Sequence, residues 1–115
     1  MNPPSPDGAG GEIPRMAKVT LEIYPLLSYK IASKKVGALI LEEEIGQRET
    51  LRDLLARLAS GDAEAWEVLF DAKTRQMKPY VVTVFNGVAL PVREASEARL
   101  SDSDKITFLP VYGGG

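Results

Sequence analysis

One long stretch of this chain, TLRDLLARLASG, has the period of a helix, while the patterned sequence on both sides has mostly the period of a strand. Leu51, Leu54, Leu55 and Leu58 recur at spacings of three and four and form a single apolar stripe. Thr50 is a favourable N-cap. Asp53 stands at the reciprocal position of a capping box, with Asp replacing the preferred Glu. Gly61 is expected to close the helix as the residue just past its end. Such a stripe needs an apolar surface to cover, and the flanking sequence supplies a sheet. In KVTLEIY, Val19, Leu21 and Ile23 point one way and Lys18, Thr20 and Glu22 the other, which is the pattern of a half-buried strand. Pro25 ends it. VGALILEEEI reads as a second strand, with Leu39, Leu41 and Ile45 in one phase, reached through a hairpin connection in LLSYKIASKK.

After the helix, DAEAWEVLFD reads as a short second helix with Asp62 as N-cap and Trp66, Leu69 and Phe70 turned inward. The apolar run YVVTVF is followed by Asn86-Gly87 and then VAL, and Asn-Gly between β-formers specifies a two-residue type I′ hairpin. A polar stretch with a short turn at Glu97–Leu100 leads to DSDKITFLPVY, a turn and a final strand. The order is strand, strand, helix, strand, short strand, strand. One main helix across one face of a mixed sheet of about five strands is an economical α+β solution. With the first and last strands side by side in the middle, that topology is a β-grasp, and it resembles the ubiquitin-like class.

At 115 residues the chain has the size of one domain. Residues 1–15 contain four prolines and three glycines and are expected to be disordered, because they offer little apolar surface to offset ordering entropy. The β-grasp domain is then 16–112, followed by a glycine tail at 113–115. The chain has neither Cys nor His, which excludes disulfides, thiolate nucleophiles, Cys/His zinc sites and His-based triads. A binding or carrier role therefore gains weight over an enzyme. The formal net charge is −2 and no run of Lys and Arg stands out, so nucleic acid is not an expected partner. No stretch approaches the roughly 18 apolar residues of a membrane helix. The opening MNPPSPDGAGGEIPR lacks the marks of a secretory signal, so the chain reads as cytoplasmic. In Glu42, Glu43 and Glu44, alternation separates Glu43 from the other two. That favours a solvated edge over a shared-proton pair or a metal site.

The ending is Leu109, Pro110, Val111, Tyr112, Gly113, Gly114 and Gly115. It resembles the sulfur-carrier family of β-grasp proteins (MoaD, the small subunit of molybdopterin synthase, and ThiS, the thiamine-biosynthesis carrier). C-termini of that family typically read Leu-Pro-Pro-Val-Ala-Gly-Gly after an acidic turn of the Asp-Gly-Asp kind. Gly114-Gly115 matches the diglycine, Gly113 takes the small-residue place, and Leu109-Pro110 matches as well. SDSDKITFLP resembles the acidic turn and last strand, with Ser103 where Gly is common, and NGVAL resembles the preceding hairpin. The departures are Val111 for the second Pro, Tyr112 for a smaller residue, and an extra helical segment near Trp66.

The resemblance implies that the chain is a co-substrate and not an enzyme. The Gly115 carboxylate would be adenylated by an ATP-dependent, ubiquitin-activating-like enzyme. A sulfur donor such as a cysteine desulfurase or rhodanese would then displace AMP and leave a thiocarboxylate. No cofactor is bound by the carrier, and ATP is used by the activating enzyme. A molybdopterin-type carrier would insert its tail into a large synthase-like subunit. The residue types suit this chemistry. A terminal carboxylate, with a pKa of about 3.5, is ionised and unreactive at neutral pH until activated. Gly113 and Gly114 accept φ of either sign and leave the tail thin enough for a narrow channel. The blander reading is a frayed end; the acidic turn, the last strand and the element order weigh against it. The last strand and YVVTVF are apolar on both faces, and one helix covers only one. The uncovered face, with Phe85, Leu109, Val111 and Tyr112, is expected to dock the activating enzyme and a downstream partner. The alternatives are a protein modifier conjugated through Gly115 and a β-grasp interaction module with an inert tail.

Overall fold

The structure is a computed structural model and describes residues 17–25, 27–28, 31 and 37–111. The expectations for residues 1–15 and for the tail at 113–115 lie outside the described residues. The strands β1 (Ala17–Ile23) and β2 (Leu39–Ile45) form an antiparallel pair in which Leu21 stands opposite Leu41. Next comes α1 (Leu51–Gly61), opened by the expected capping box: the Thr50 hydroxyl accepts from the Asp53 amide, and the Asp53 carboxylate accepts from the Thr50 amide, each at 3.1 Å. Leu51, Leu54 and Leu55 are fully buried, and Leu58 is half-buried.

The end of α1 differs from the expectation. Gly61 is the last helical residue, and Asp62 (φ −160, ψ 81) closes the helix. Asp62 also caps α2 (Ala63–Trp66) by accepting from the Ala65 amide at 3.2 Å. One aspartate joining two helices removes the need for a left-handed glycine. Trp66, Leu69 and Phe70 are buried as expected, yet Phe70 already belongs to a strand. Strands β3 (Phe70–Asp71) and β4 (Gln76–Met77) make a small hairpin that the sequence reading did not contain. Its turn is held by the Asp71 side chain, which accepts from the amides of Lys73 and Thr74.

Strands β5 (Val81–Phe85) and β6 (Val88–Leu90) are joined by Asn86 at φ 50 and Gly87 at φ 87, both positive as a type I′ turn requires. A short helix α3 (Val92–Glu97) follows, earlier than the turn expected at Glu97–Leu100. Pro91 precedes it with φ −58, a value already suited to a helix start. The last strand is β7 (Lys105–Pro110).

The five-stranded sheet has the order β2-β1-β7-β5-β6. β1 and β7 are parallel and central, and the other pairs are antiparallel. α1 covers one face of this mixed sheet, so the fold is the α+β β-grasp. The buried cluster joins Leu51, Leu54 and Leu55 of α1 to Val19, Leu21 and Ile23 of β1 and to Ile106 and Phe108 of β7. Each fully buried Leu, Ile or Phe side chain contributes about 1.5–3 kcal/mol. Among the described residues, no helix is long and apolar enough to cross a membrane.

Candidate functional site

β7 carries the sequence motif, and both its ends are fixed. At its start, the acidic turn is tied to two neighbouring elements. The Asp102 carboxylate accepts from the Lys18 amide at 2.9 Å, and the Ser103 amide donates to the Lys18 carbonyl at 2.7 Å. Asp104 accepts from the Ser101 amide at 2.7 Å and from the Asn86 side-chain amide at 2.8 Å. Asn86 in turn accepts from the Lys105 amide at 2.8 Å. The turn therefore locks β7 onto β1 and onto the β5–β6 hairpin. Ser103 has φ 74, the left-handed backbone that explains why glycine suits this position.

At the other end, Phe108 stands opposite Ile23 and Pro110 opposite Val81. The last backbone bonds on either side run from the Tyr24 amide to the Phe108 carbonyl, 3.1 Å, and from the Val111 amide to the Tyr80 carbonyl, 3.0 Å. The chain thus leaves the middle of the sheet at Val111, which is 50% exposed. Tyr112, Gly113, Gly114 and Gly115 follow directly and lie outside the described residues.

The family model that matches this chain, described as the ThiS family, spans residues 32–115. The chain belongs to the ThiS family. Solved structures share the fold. The small archaeal modifier protein 1 from Methanosarcina acetivorans is 25% identical, with a TM-score of 0.60 over 89% of this chain and 100% of that one. A putative molybdopterin converting factor, subunit 1, from Pyrococcus furiosus is 18% identical, with a TM-score of 0.56 over 84% and 99%. Urm1 from Trypanosoma brucei is 17% identical, with a TM-score of 0.61 over 90% and 100%. No curated protein sequence matches the chain significantly.

The strand register of this ThiS-family domain assigns its two faces. Residues opposite one another share a face, so Val81, Thr83 and Phe85 lie with Pro110, Phe108 and Ile106. Thr83 and Phe108 are buried, and Phe85 is half-buried against the core. Phe85 therefore sits on the helix-covered face, a correction to its expected placement beside Leu109 and Val111. Its in-register partner Ile106 is buried completely, which sets the phase. The open face carries Val82 opposite Leu109 and Val84 opposite Thr107, with Tyr80 beside Val111 and Ile40 opposite Glu22. Ile40, Tyr80 and Val111 are among the exposed large apolar side chains.

Apolar residues crowd that face at the end where the chain leaves the sheet, while the opposite end is charged. There Lys105 pairs with Glu22 at 3.2 Å, and Lys18, Glu42 and Glu44 lie close by. Ile40 was not singled out from sequence; alternation in YVVTVF sets Tyr80 with Val82 and Val84, on the face that also carries Leu109. Glu43 faces away from Glu42 and Glu44, as expected. Arg57 reaches over this edge, donating to the Glu44 carbonyl at 2.7 Å and to the Glu49 carboxylate at 3.1 Å. The bond to Glu49 raises the Arg57 pKa further above its ordinary value. No group of three His, Cys, Asp or Glu able to hold a metal occurs among the described residues.

Proposed function

We propose that this protein is a sulfur carrier whose reactive group is the Gly115 carboxylate, most directly of the molybdopterin type. The observation that carries the reading is a centrally held β7 delivering the Leu109-Pro110 motif out of the sheet, in a chain whose family match runs through Gly115. A carboxylate oxygen attacks the α-phosphorus of ATP held by an adenylating enzyme, and pyrophosphate leaves. A sulfur nucleophile delivered by a desulfurase- or rhodanese-type donor then attacks the acyl carbon. The C–O bond to AMP breaks and AMP leaves. The donor being a persulfide, the product is first an acyl disulfide. A second thiol then attacks the donor's sulfur, breaking the S–S bond, forming a disulfide with the donor and releasing the thiocarboxylate. The protein supplies no catalyst and binds no cofactor of its own. Its setting is the cytoplasm, where ATP and the activating enzyme meet it. The apolar open face around Leu109, Val82 and Val111 docks the activating enzyme and then a larger synthase-like subunit, with Tyr112 next to that contact.

A second reading is favoured by the likeness to small archaeal modifier proteins. The same adenylate would be attacked by a lysine amine, leaving Gly115 in an isopeptide bond. Both readings need a free terminal carboxylate. The test is ATP–pyrophosphate exchange by the host's adenylating enzyme, with the natural chain and with one extra residue appended after Gly115. Exchange with the first and none with the second supports activation at Gly115. No exchange with either would leave only an interaction module, and equal exchange with both would show activation that does not depend on a terminal Gly115.

A further inference from the structure

On the helix side of the domain, across the sheet from the open face, a cavity of about 340 Å³ lies between the start of α1, β4 and α3. That volume is at the lower end of small-molecule sites. Its apolar wall is Met77, which is buried, and Val92, which is half-buried. Its polar lining is Arg52 from α1, the exposed Arg93 with Ser96 and Glu97 from α3, and Gln76 from β4.

Neither arginine is satisfied by a close carboxylate. The Arg52 Nε is shielded from solvent and has no acceptor among the described residues. Its Nη2 stands 4.0 Å from Glu97, beyond hydrogen-bond length, and the Glu97 side chain is 64% exposed. Arg93 forms no ion pair among the described residues. The Ser96 hydroxyl is already committed to the Arg93 carbonyl at 3.0 Å. A shielded guanidinium N–H without an acceptor is costly, so the site gains by receiving an oxygen ligand. Two cations against one carboxylate leave room for a single negative charge. The planar fork of a guanidinium matches a carboxylate in two parallel bonds.

We propose that this cavity binds a carboxylate carried on a short apolar group, with the oxygens on Arg52 and Arg93 and the hydrocarbon on Met77 and Val92. Two sources present that chemistry: a free small organic acid, or an acidic side chain next to an apolar one on a partner. The site lies apart from β7 and does not depend on tail activation.

The test is a titration of the full chain followed by amide NMR. The probes are hexanoate, acetate, inorganic phosphate and the blocked dipeptide acetyl-Leu-Glu-amide. The expected result is saturable shifts at Arg52, Met77, Val92 and Arg93, tighter for hexanoate than for acetate. Arg93→Gln and Arg52→Lys should each weaken the affinity about tenfold with the fold retained, as expected when a bond to a charged group is lost. Tighter binding of hexanoate than of the dipeptide assigns a free acid, and the reverse order assigns a partner's side chain. Absent or non-saturable shifts, shifts unchanged in both variants, or phosphate binding better than hexanoate would overturn the proposal. None of these outcomes bears on Gly115.

Discussion

Substituting Glu for Phe85 separates the two faces of the sheet. Complete burial makes a Phe→Ala change cost about 3–5 kcal/mol, and Phe85 is half-buried near a strand end, so loss of its ring costs about 2 kcal/mol. The new carboxylate would face the buried Ile106, and partial desolvation adds about 1 kcal/mol. With a urea slope of about 1.5 kcal/mol per M for a domain of this size, a loss near 3 kcal/mol lowers the unfolding midpoint by about 2 M. Trp66 is the only tryptophan and is buried, so its fluorescence reports the transition directly. The companion variant is Val111→Glu on the open face. Val111 is half exposed, and the change should stay within about 0.5 kcal/mol of wild type while weakening capture by the adenylating enzyme. A Phe85→Glu protein with the wild-type midpoint and lost capture would refute the face assignment.

Two further changes probe the domain itself. Thr83 is buried and its hydroxyl has no partner among the described residues, so Thr83→Val should stabilise by about 1 kcal/mol, raising Tm by about 4 °C; a fall in Tm would show the hydroxyl to be bonded. Asp53→Ala removes half of the α1 capping box and should cost about 1 kcal/mol at pH 7 in urea denaturation. The Asp53 carboxyl is held below its ordinary range, first by the bond from the Thr50 backbone amide and then by the Thr50 side chain. Its folded value lies below its unfolded one, so the contribution is complete above a pH of about 4 and is lost as the pH falls through the folded value. The gap between wild type and Asp53→Ala should narrow in that acid range.

The long elements were legible because each ran far enough to display a period. β1 shows three alternations, α1 shows a leucine stripe with its cap, and Asn86-Gly87 dictates its own turn. The central parallel pair followed from the order of those elements. The β3–β4 hairpin escaped notice because two-residue strands have no period, and α3 is too short to show a stripe. Gly61 looked like a helix terminator, yet the neighbouring Asp62 could cap the following helix and took that task.

Phe85 was misplaced for a more instructive reason. Alternation in YVVTVF separates the two sets of side chains but does not say which set meets the helix. The covered set contains a threonine, while the open set at Val82 and Val84 is wholly apolar. Hydrophobicity alone therefore pointed the wrong way, and only the register with Ile106 and Phe108 decides it. The pairing of Arg52 with Arg93 was equally hidden, because the residues lie far apart in sequence on elements brought together by the hairpin and α3.

The central claim is that Gly115 is the atom-bearing end of a sulfur carrier, and intact mass tests it most directly. The chain is incubated with the host's adenylating enzyme, ATP and a sulfur donor, then weighed. The account predicts a gain equal to replacing one oxygen by sulfur, about 16 Da, absent when Gly115 is deleted and reversed by hydrolysis. With an activating enzyme and donor shown to be active on another carrier, an unchanged mass would contradict it.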